Sequence, residues 1–279
     1  MTFPSGAIEG DAVVMAVRAH PDGAVVVLDT TPFHPVDHTW PDQPGDTGTI
    51  IAGDTQLRVL HTVMAATENG TDLLIGADIP VKRGTDGWTW LVAHIVEGQA
   101  SVAEGDAVRA HVDAERRADL SRGHTACHLA SLALDAALAD LWRKEVRPDP
   151  LGHPDFEGRA NETSFIHPNG SVDRYRLGKS LRKAGFDTET FAASLAEREE
   201  RANALLAAWV AAGSASRIET AGPAITDMRT WHCSLPQGDA SFPCGGTHVV
   251  SLADFRRITV DFTMPDEQTL VMTTTAIPI

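Results

Sequence analysis

The sequence predicts an α+β fold in which a small β-barrel, residues 1–115, precedes an α+β domain, residues 116–279. Three observations predict it. Short β-branched runs split by turn residues fill the first 115 positions, the pattern of small barrels and sandwiches. Helical periodicity begins only after them, near Ala114. Strand-like runs then return from Ala224 to the end of the sequence. The boundary falls near residues 113–120, with no flexible linker and no internal repeat.

Taken in order, DAVVMAVRAH (Asp11–His20) and AVVVLD (Ala24–Asp29) are β-branched runs divided by Pro21, Asp22 and Gly23, a turn signal. GTII, LRVLHTVMAA, WTWLVAHIV and AVRAHVD continue the pattern, with Gly, Pro, Asp and Asn gathered between them. Trp88 and Trp90 have strand spacing and are expected to pack in or on the barrel. From Ala114, the run AERRADLSRGHTACHLASLALDAALADLWRKEV places Leu129, Leu132, Ala136 and Ala139 at helical spacing and stops before Pro148. Four prolines between Arg147 and Gly170 predict that this stretch is largely loop. DTETFAASLAEREERANALLAAWVAAG predicts a second long helix, capped by Thr188 or Asp187 and ended by Gly213. AITDMRTWHCSL, FRRITVDFTM and TLVMTTTAIPI read as strands.

Composition narrows the class. At 279 residues, 43% hydrophobic and 22% charged, the chain is globular. No run of about 18 apolar residues is present, so no membrane span is expected. The N-terminal MTFPSGAIEGDAVV lacks the basic patch and apolar stretch of a secretory signal. Cys127, Cys233 and Cys244 are an odd count and too few for a disulfide scaffold, so a cytoplasmic protein with reduced thiols is expected. A net charge of −15 argues against a general nucleic-acid binder. That charge is uneven, −12 over residues 1–115 and −3 over the remainder. RYRLGKSLRK, Arg174–Lys183, has five basic residues and no acidic one, and is either a solvated face or a phosphate-contacting patch.

Two short motifs carry chemistry. His124 and His128, in HTACH, are four apart on the predicted helix and share one face, about one turn along the axis. Cys244 and His248, in CGGTH, are also four apart, but two glycines disfavour a helix and allow a tight turn. Three imidazoles and one thiolate make a plausible tetrahedral zinc set. The 116 residues between His128 and Cys244 do not match zinc-finger spacing and fit a site built into the domain's core. Cys127 points about 100° from His128 and reads as core or pocket wall. Cys233 alternates with Trp231 and reads as core, while His232 faces the other way and could approach the site. His34, Asp37 and His38 read as pocket wall in preference to a second metal cluster.

HTACH followed far downstream by CGGTH resembles the editing domain of alanyl-tRNA synthetase and its free-standing relatives, the AlaX-type trans-editing deacylases. The resemblance covers most of the chain. GDAVRAHVDAERRADLSRGHTACHLA is similar to the family's passage from barrel to catalytic domain, RYRL to its Arg–aromatic strand, EREERANALLAA with Asn203 to its long helix, and TPFHP with DQPGDTGTI to the barrel loop facing the active site. The resemblance implies an α+β editing domain in which His124, His128, Cys244 and His248 hold Zn²⁺. It implies a mischarged aminoacyl-tRNA as partner, cut in trans at the ester joining amino acid to terminal adenosine. His124, His128 and Thr247 would stand at the catalytic centre, with His34, Gln43, Asp46, Arg174, Arg176 and Lys179 contacting substrate. A homodimer is left open.

The sequence also departs from the family. His34 follows Phe33 where a second aromatic is usual, and Pro41–Asp42 replaces a double glycine before Gln43. RPDPLGHPDFEGRANETSFIHPNG replaces a short Gly–Ser segment. Both changes fall where the amino-acid pocket is expected. They set this chain apart from the family members that act on serine carried by tRNA(Ala); the resemblance implies a small hydroxylated amino acid, either that serine or a threonine type such as fluorothreonine on tRNA(Thr). Two other readings remain: a zinc hydrolase of a small ester or amide, and a module that binds tRNA or protein without hydrolysis. Four protein ligands usually mark a structural zinc, whereas catalytic zinc keeps a position open.

Overall fold

Alternating buried and exposed residues build the N-terminal strands of the computed structural model, which describes Met1–Ile279. These are β1 (Glu9–His20), β2 (Gly23–Leu28), β3 (Gly48–Ala52), β4 (Thr55–Thr67), β5 (Leu74–Ile75), β6 (Thr89–Glu97) and β7 (Ala107–Val112). They form one antiparallel sheet in the order β3-β7-β1-β2-β6-β4-β5, and β3 also pairs with β4. Six strands are thereby hydrogen-bonded in a ring. Val14, Val26, Leu28, Ile50, Leu57, Val59, Val96 and Ala110 fill one core against it. A second cluster, Phe3, Met64, Ala66, Ile79 and Val92, takes in Trp88 and Trp90 at half-buried positions.

The chain divides into two compact units. The first is Met1–Ala118 with two later returns, Thr220–Arg229 and Cys244–Thr247. The second is Asp119–Glu219, Thr230–Pro243 and His248–Ile279. The second begins within α1 (Ala114–Ala137), whose Leu120, Leu129, Leu132 and Leu134 are buried on several faces, as in a core helix. Then follow α2 (Glu157–Ala160), β8 (Asn161–His167), β9 (Gly170–Arg176), α3 (Lys179–Ala184), α4 (Thr188–Ala193), α5 (Leu195–Ala212), β10 (Ser216–Thr220), β11 (Arg229–Leu235), β12 (Gly238–Pro243), β13 (Phe255–Asp266) and β14 (Thr269–Pro278). One sheet has the order β13-β14-β9-β8 and another β10-β11-β12. Helix α5 is tied to β13 through Asn203, whose amide accepts from Val260 N at 2.8 Å and donates to Val260 O at 2.9 Å.

Three local expectations are corrected. Residues 147–170 are loop only in part: α2 and β8 occupy Glu157–His167, a proline-free interval between Pro154 and Pro168. The predicted single helix over 187–213 is two, α4 and α5, divided at Ser194. The Ser194 hydroxyl bonds back to Thr190 O at 2.7 Å, a competitor to the next helical turn. Asp187 caps α4 by accepting from Thr190 N, and Gly213 ends α5 at φ +60°. Ala224–Met228 is turn and not strand, because Asp227 folds back to accept from Ala224 N at 2.7 Å.

Candidate metal centre

His124 and His128 sit in the buried middle of α1. Gly123 just before them has a structural purpose. A Cβ there would lie 2.4 Å from His167 O and 2.7 Å from Gly170 O, so only glycine lets the β8–β9 turn approach the helix. The ring centroids of His124 and His128 are 4.8 Å apart, and His248 lies 4.4 Å from the first and 5.1 Å from the second. Behind them Trp231 and Phe242 are directly paired across β11 and β12. Each of these rings lies 5.1 Å from His128. Trp231 is itself fixed by donating to Ser216 Oγ at 2.9 Å, which donates to Val249 O at 2.8 Å.

Thr125 links the two motifs. Its hydroxyl accepts from Val249 N at 3.1 Å and stands 3.1 Å from His248 Nδ1. An Nδ1–H donated to Thr125 leaves Nε2 of His248 as the metal-facing nitrogen.

In the first unit, Cys244–Thr247 forms a turn against the loop after Phe33. Gln43 grips Thr247 twice: its Nε2 donates to Thr247 Oγ1 at 2.9 Å, and its Oε1 accepts from Thr247 N at 3.0 Å. The Gly246 N–H points at Cys244 Sγ, 3.5 Å away. The Gln43 loop is held close to β4, since a Cβ on Gly45 would lie 1.9 Å from Thr62 O. Thr62 Oγ1 also donates to Asp46 O at 2.7 Å.

The ligand atoms of His124, His128, Cys244 and His248 all lie within 4.8 Å of one another. Zinc bonds of about 2.0–2.3 Å place ligand atoms roughly 3.5 Å apart, a spread that small side-chain rotations reach. Nε2 of His128 is buried and has no hydrogen-bond partner, as expected of an atom reserved for an ion. Burial pushes His124 down to about 4. Burial, and then the neighbouring His124, hold His128 well below the ordinary range, so both imidazoles are neutral at neutral pH. Burial pushes the Cys244 thiol up to about 12. The residues fit zinc by type, neutrality and spacing.

The other expected site residues are placed as follows. His34 is buried, donates its N–H to Asp46 Oδ2 at 2.5 Å and packs edge-on against Phe3. Asp46 is engaged by the Arg117 guanidinium, with Nε at 2.9 Å from Oδ1. Arg174 and Arg176 point outward from β9 and approach Glu162 at 3.9 and 3.7 Å, beside an open cleft lined by Arg176, Asp266 and Thr269. Lys179 is exposed at the start of α3. Cys233 is buried core and Cys127 faces Asp173 at 3.4 Å. His232 turns away to Glu219 at 3.3 Å. Asp37 pairs with Arg83 at 2.8 Å and lies 3.8 Å from His38 Nδ1, while His38 Nε2 meets Val81 O at 3.1 Å. The sequence did not single out Thr125, Trp231, Phe242 or Arg229. Thr125 alone carried a signal, its place inside the motif.

No family model matches the chain. It is 31% identical over 214 residues to an alanine–tRNA ligase of Chloroflexus aurantiacus, covering 77% of this chain and 18% of that protein. It is 34% identical over 133 residues to the alanine–tRNA ligase of Dehalococcoides mccartyi, 47% of this chain and 12% of that one. Over 137 residues it is 30% identical to the enzyme of that name from Methanothermobacter thermautotrophicus. The chain spans less than a fifth of the length of these curated relatives. Over most of its own length it is thus similar to a segment of alanine–tRNA ligases.

Proposed function

We propose that this chain hydrolyses the ester bond of a mischarged aminoacyl-tRNA, acting in trans and with zinc, and releases free amino acid and tRNA. The observation that carries the reading is the convergence of His124, His128, Cys244 and His248 in a chain similar to alanine–tRNA ligases. We read the first unit's ring of strands as the small barrel that accompanies such a site.

Hydrolysis adds the hydroxyl of water to the acyl carbon and returns a proton to the ribose oxygen. An aminoacyl ester is already activated, so placement supplies much of the rate. Zinc held by the four ligands would supply polarisation of a water or carbonyl oxygen. Gln43 fixes the backbone and hydroxyl of Thr247 next to His248 in the chain, keeping that hydroxyl in one position for a polar substrate group. Trp231 and Phe242 back the histidines with apolar surface that excludes water. The hydroxyl and amide groups of this region suit a small hydroxylated amino acid, serine or a threonine type such as fluorothreonine.

The test is release of amino acid from precharged tRNA, without ATP, by the 279-residue chain. Chelation of zinc, or the double change His124→Ala and His128→Ala, is expected to abolish release; full activity in the double variant would sink the reading. A panel of tRNAs carrying Ser, Gly, Ala, Thr and fluorothreonine identifies the amino acid. The net charge of −12 over residues 1–115 favours a second reading, a zinc hydrolase of small esters. Absence of tRNA affinity at low salt, where phosphate contacts are strongest, would select it.

A further inference from the structure

Arg229 is a buried charge with no carboxylate bonded to it. It is 5% exposed, and its Nε has no hydrogen-bond partner. Nη1 reaches only the Met1 sulfur, 3.7 Å away, and the guanidinium lies 5.2 Å above the Phe3 ring. Leaving a guanidinium buried in this way is costly, so an anion that joins it gains what the fold has already spent. Arg83 stands beside it. A Cβ on Gly245 would lie 3.0 Å from Arg229 Nη2 and 3.7 Å from Arg83 Nη1. Two guanidiniums therefore border the turn that carries Cys244, and glycine lets the Arg229 guanidinium approach that turn closely.

Asp37 and Asp227 attract Arg229 through space, but neither is bonded to it. Asp37 is matched to Arg83 at 2.8 Å. Asp227 accepts from Ala224 N, and Asp42 accepts from Gln43 N at 2.7 Å. The Arg229 guanidinium thus lies beside the turn that carries Cys244 without a bonded carboxylate. Planar guanidinium forks suit the oxygens of phosphate.

We propose that Arg229 and Arg83 form an anion site for a phosphodiester of the RNA strand whose 3′ end enters the metal centre. The inference rests on tRNA being the substrate.

The test uses the full zinc-loaded chain and an uncharged acceptor-stem RNA minihelix ending in CCA, with affinity followed against salt. Arg83→Gln is expected to weaken binding about tenfold, the worth of one charge-assisted hydrogen bond, and to flatten the log–log salt slope by about 0.7. Arg229→Lys keeps the charge but loses the fork, and is expected to weaken binding less than Arg83→Gln while keeping the slope. Replacing single phosphodiesters near the 3′ end by neutral methylphosphonates is expected to find one position at which wild type loses affinity and Arg83→Gln does not. Unchanged affinity and slope in both variants overturn the site. Loss of zinc in Arg229→Lys with unchanged RNA binding also overturns it, assigning Arg229 to the Cys244 thiolate. Inorganic phosphate bound through Arg83 without any effect on the minihelix overturns it in favour of a free-phosphate site. If wild type itself fails to bind the minihelix at low salt, the tRNA reading fails and not this assignment alone.

Discussion

A single threonine joins the two motifs at the residue scale. Thr125 accepts from Val249 N and meets His248 Nδ1, so a metal held at Nε2 of His248 would call for the Nδ1–H tautomer. Thr125→Val is expected to weaken zinc binding roughly 10–100-fold by competition with a chromogenic chelator, as losses of such supporting contacts do. Thr125→Ser should restore it, because serine keeps the hydroxyl. Equal zinc affinity in the valine variant would remove the positioning role. The sequence marks Gln43 as part of an altered loop and, through the resemblance, as a substrate contact; its double hold on Thr247, 204 residues away, is a tertiary fact. Gln43→Ala should cost about 1–3 kcal/mol of stability by denaturant unfolding, since it leaves buried Thr247 groups unpaired.

At the scale of elements, the periodicities carried most of the information. The six N-terminal runs read from β-branched alternation correspond to β1, β2, β3, β4, β6 and β7, and the helix read from Ala114 starts there. Where they misled, a side chain decided: Ser194 divides α4 from α5, and Asp227 folds a stretch read as strand. The first turns of α1 also brace the Gln43 loop, because Arg117 holds Asp46 and donates to Pro32 O at 2.8 Å. Arg117→Ala leaves a buried carboxylate uncompensated and is expected to cost about 3–5 kcal/mol, measured by urea unfolding.

Two elements bury titrating groups with opposite consequences for pH. In β6, His94 is fully buried, donates Nδ1–H to Val26 O at 2.9 Å and accepts from Thr31 at 2.8 Å. Burial pushes it down to about 4. The unfolded chain therefore binds the extra proton between about pH 6.5 and 4, and the His94 contribution falls as pH falls through that window, by about 3 kcal/mol in all. In α2, burial and the nearby Asp173 push Glu157 up to about 8, with Asp155 adding to the effect and Tyr175 and Asn161 opposing it. Here the folded state holds the proton, so the contribution is full below about pH 4.5 and is lost as pH rises through about 8. His94→Gln should flatten the acid-side dependence of unfolding, and Glu157→Gln should raise stability at pH 8. The reverse signs would contradict the protonation states assigned to these two groups.

For the whole molecule, length and charge set the class and the fold set the site. The uneven charge, −12 over residues 1–115, was visible in the sequence, and so were the two motifs whose spacing and residue types suggested one tetrahedral ion. Sequence by itself determined the α+β order, the helix that presents His124 and His128, and the tight turn between Cys244 and His248, because each depends on contacts within a few residues. Only the tertiary structure decided that the ligand atoms of two motifs 120 positions apart come within 4.8 Å, that Gly123 admits a strand turn beside the histidines, and that Arg229 Nε lies without a hydrogen-bond partner. Those outcomes rest on which buried surfaces pack together, and local periodicity does not record the partner of a surface, only that it needs one.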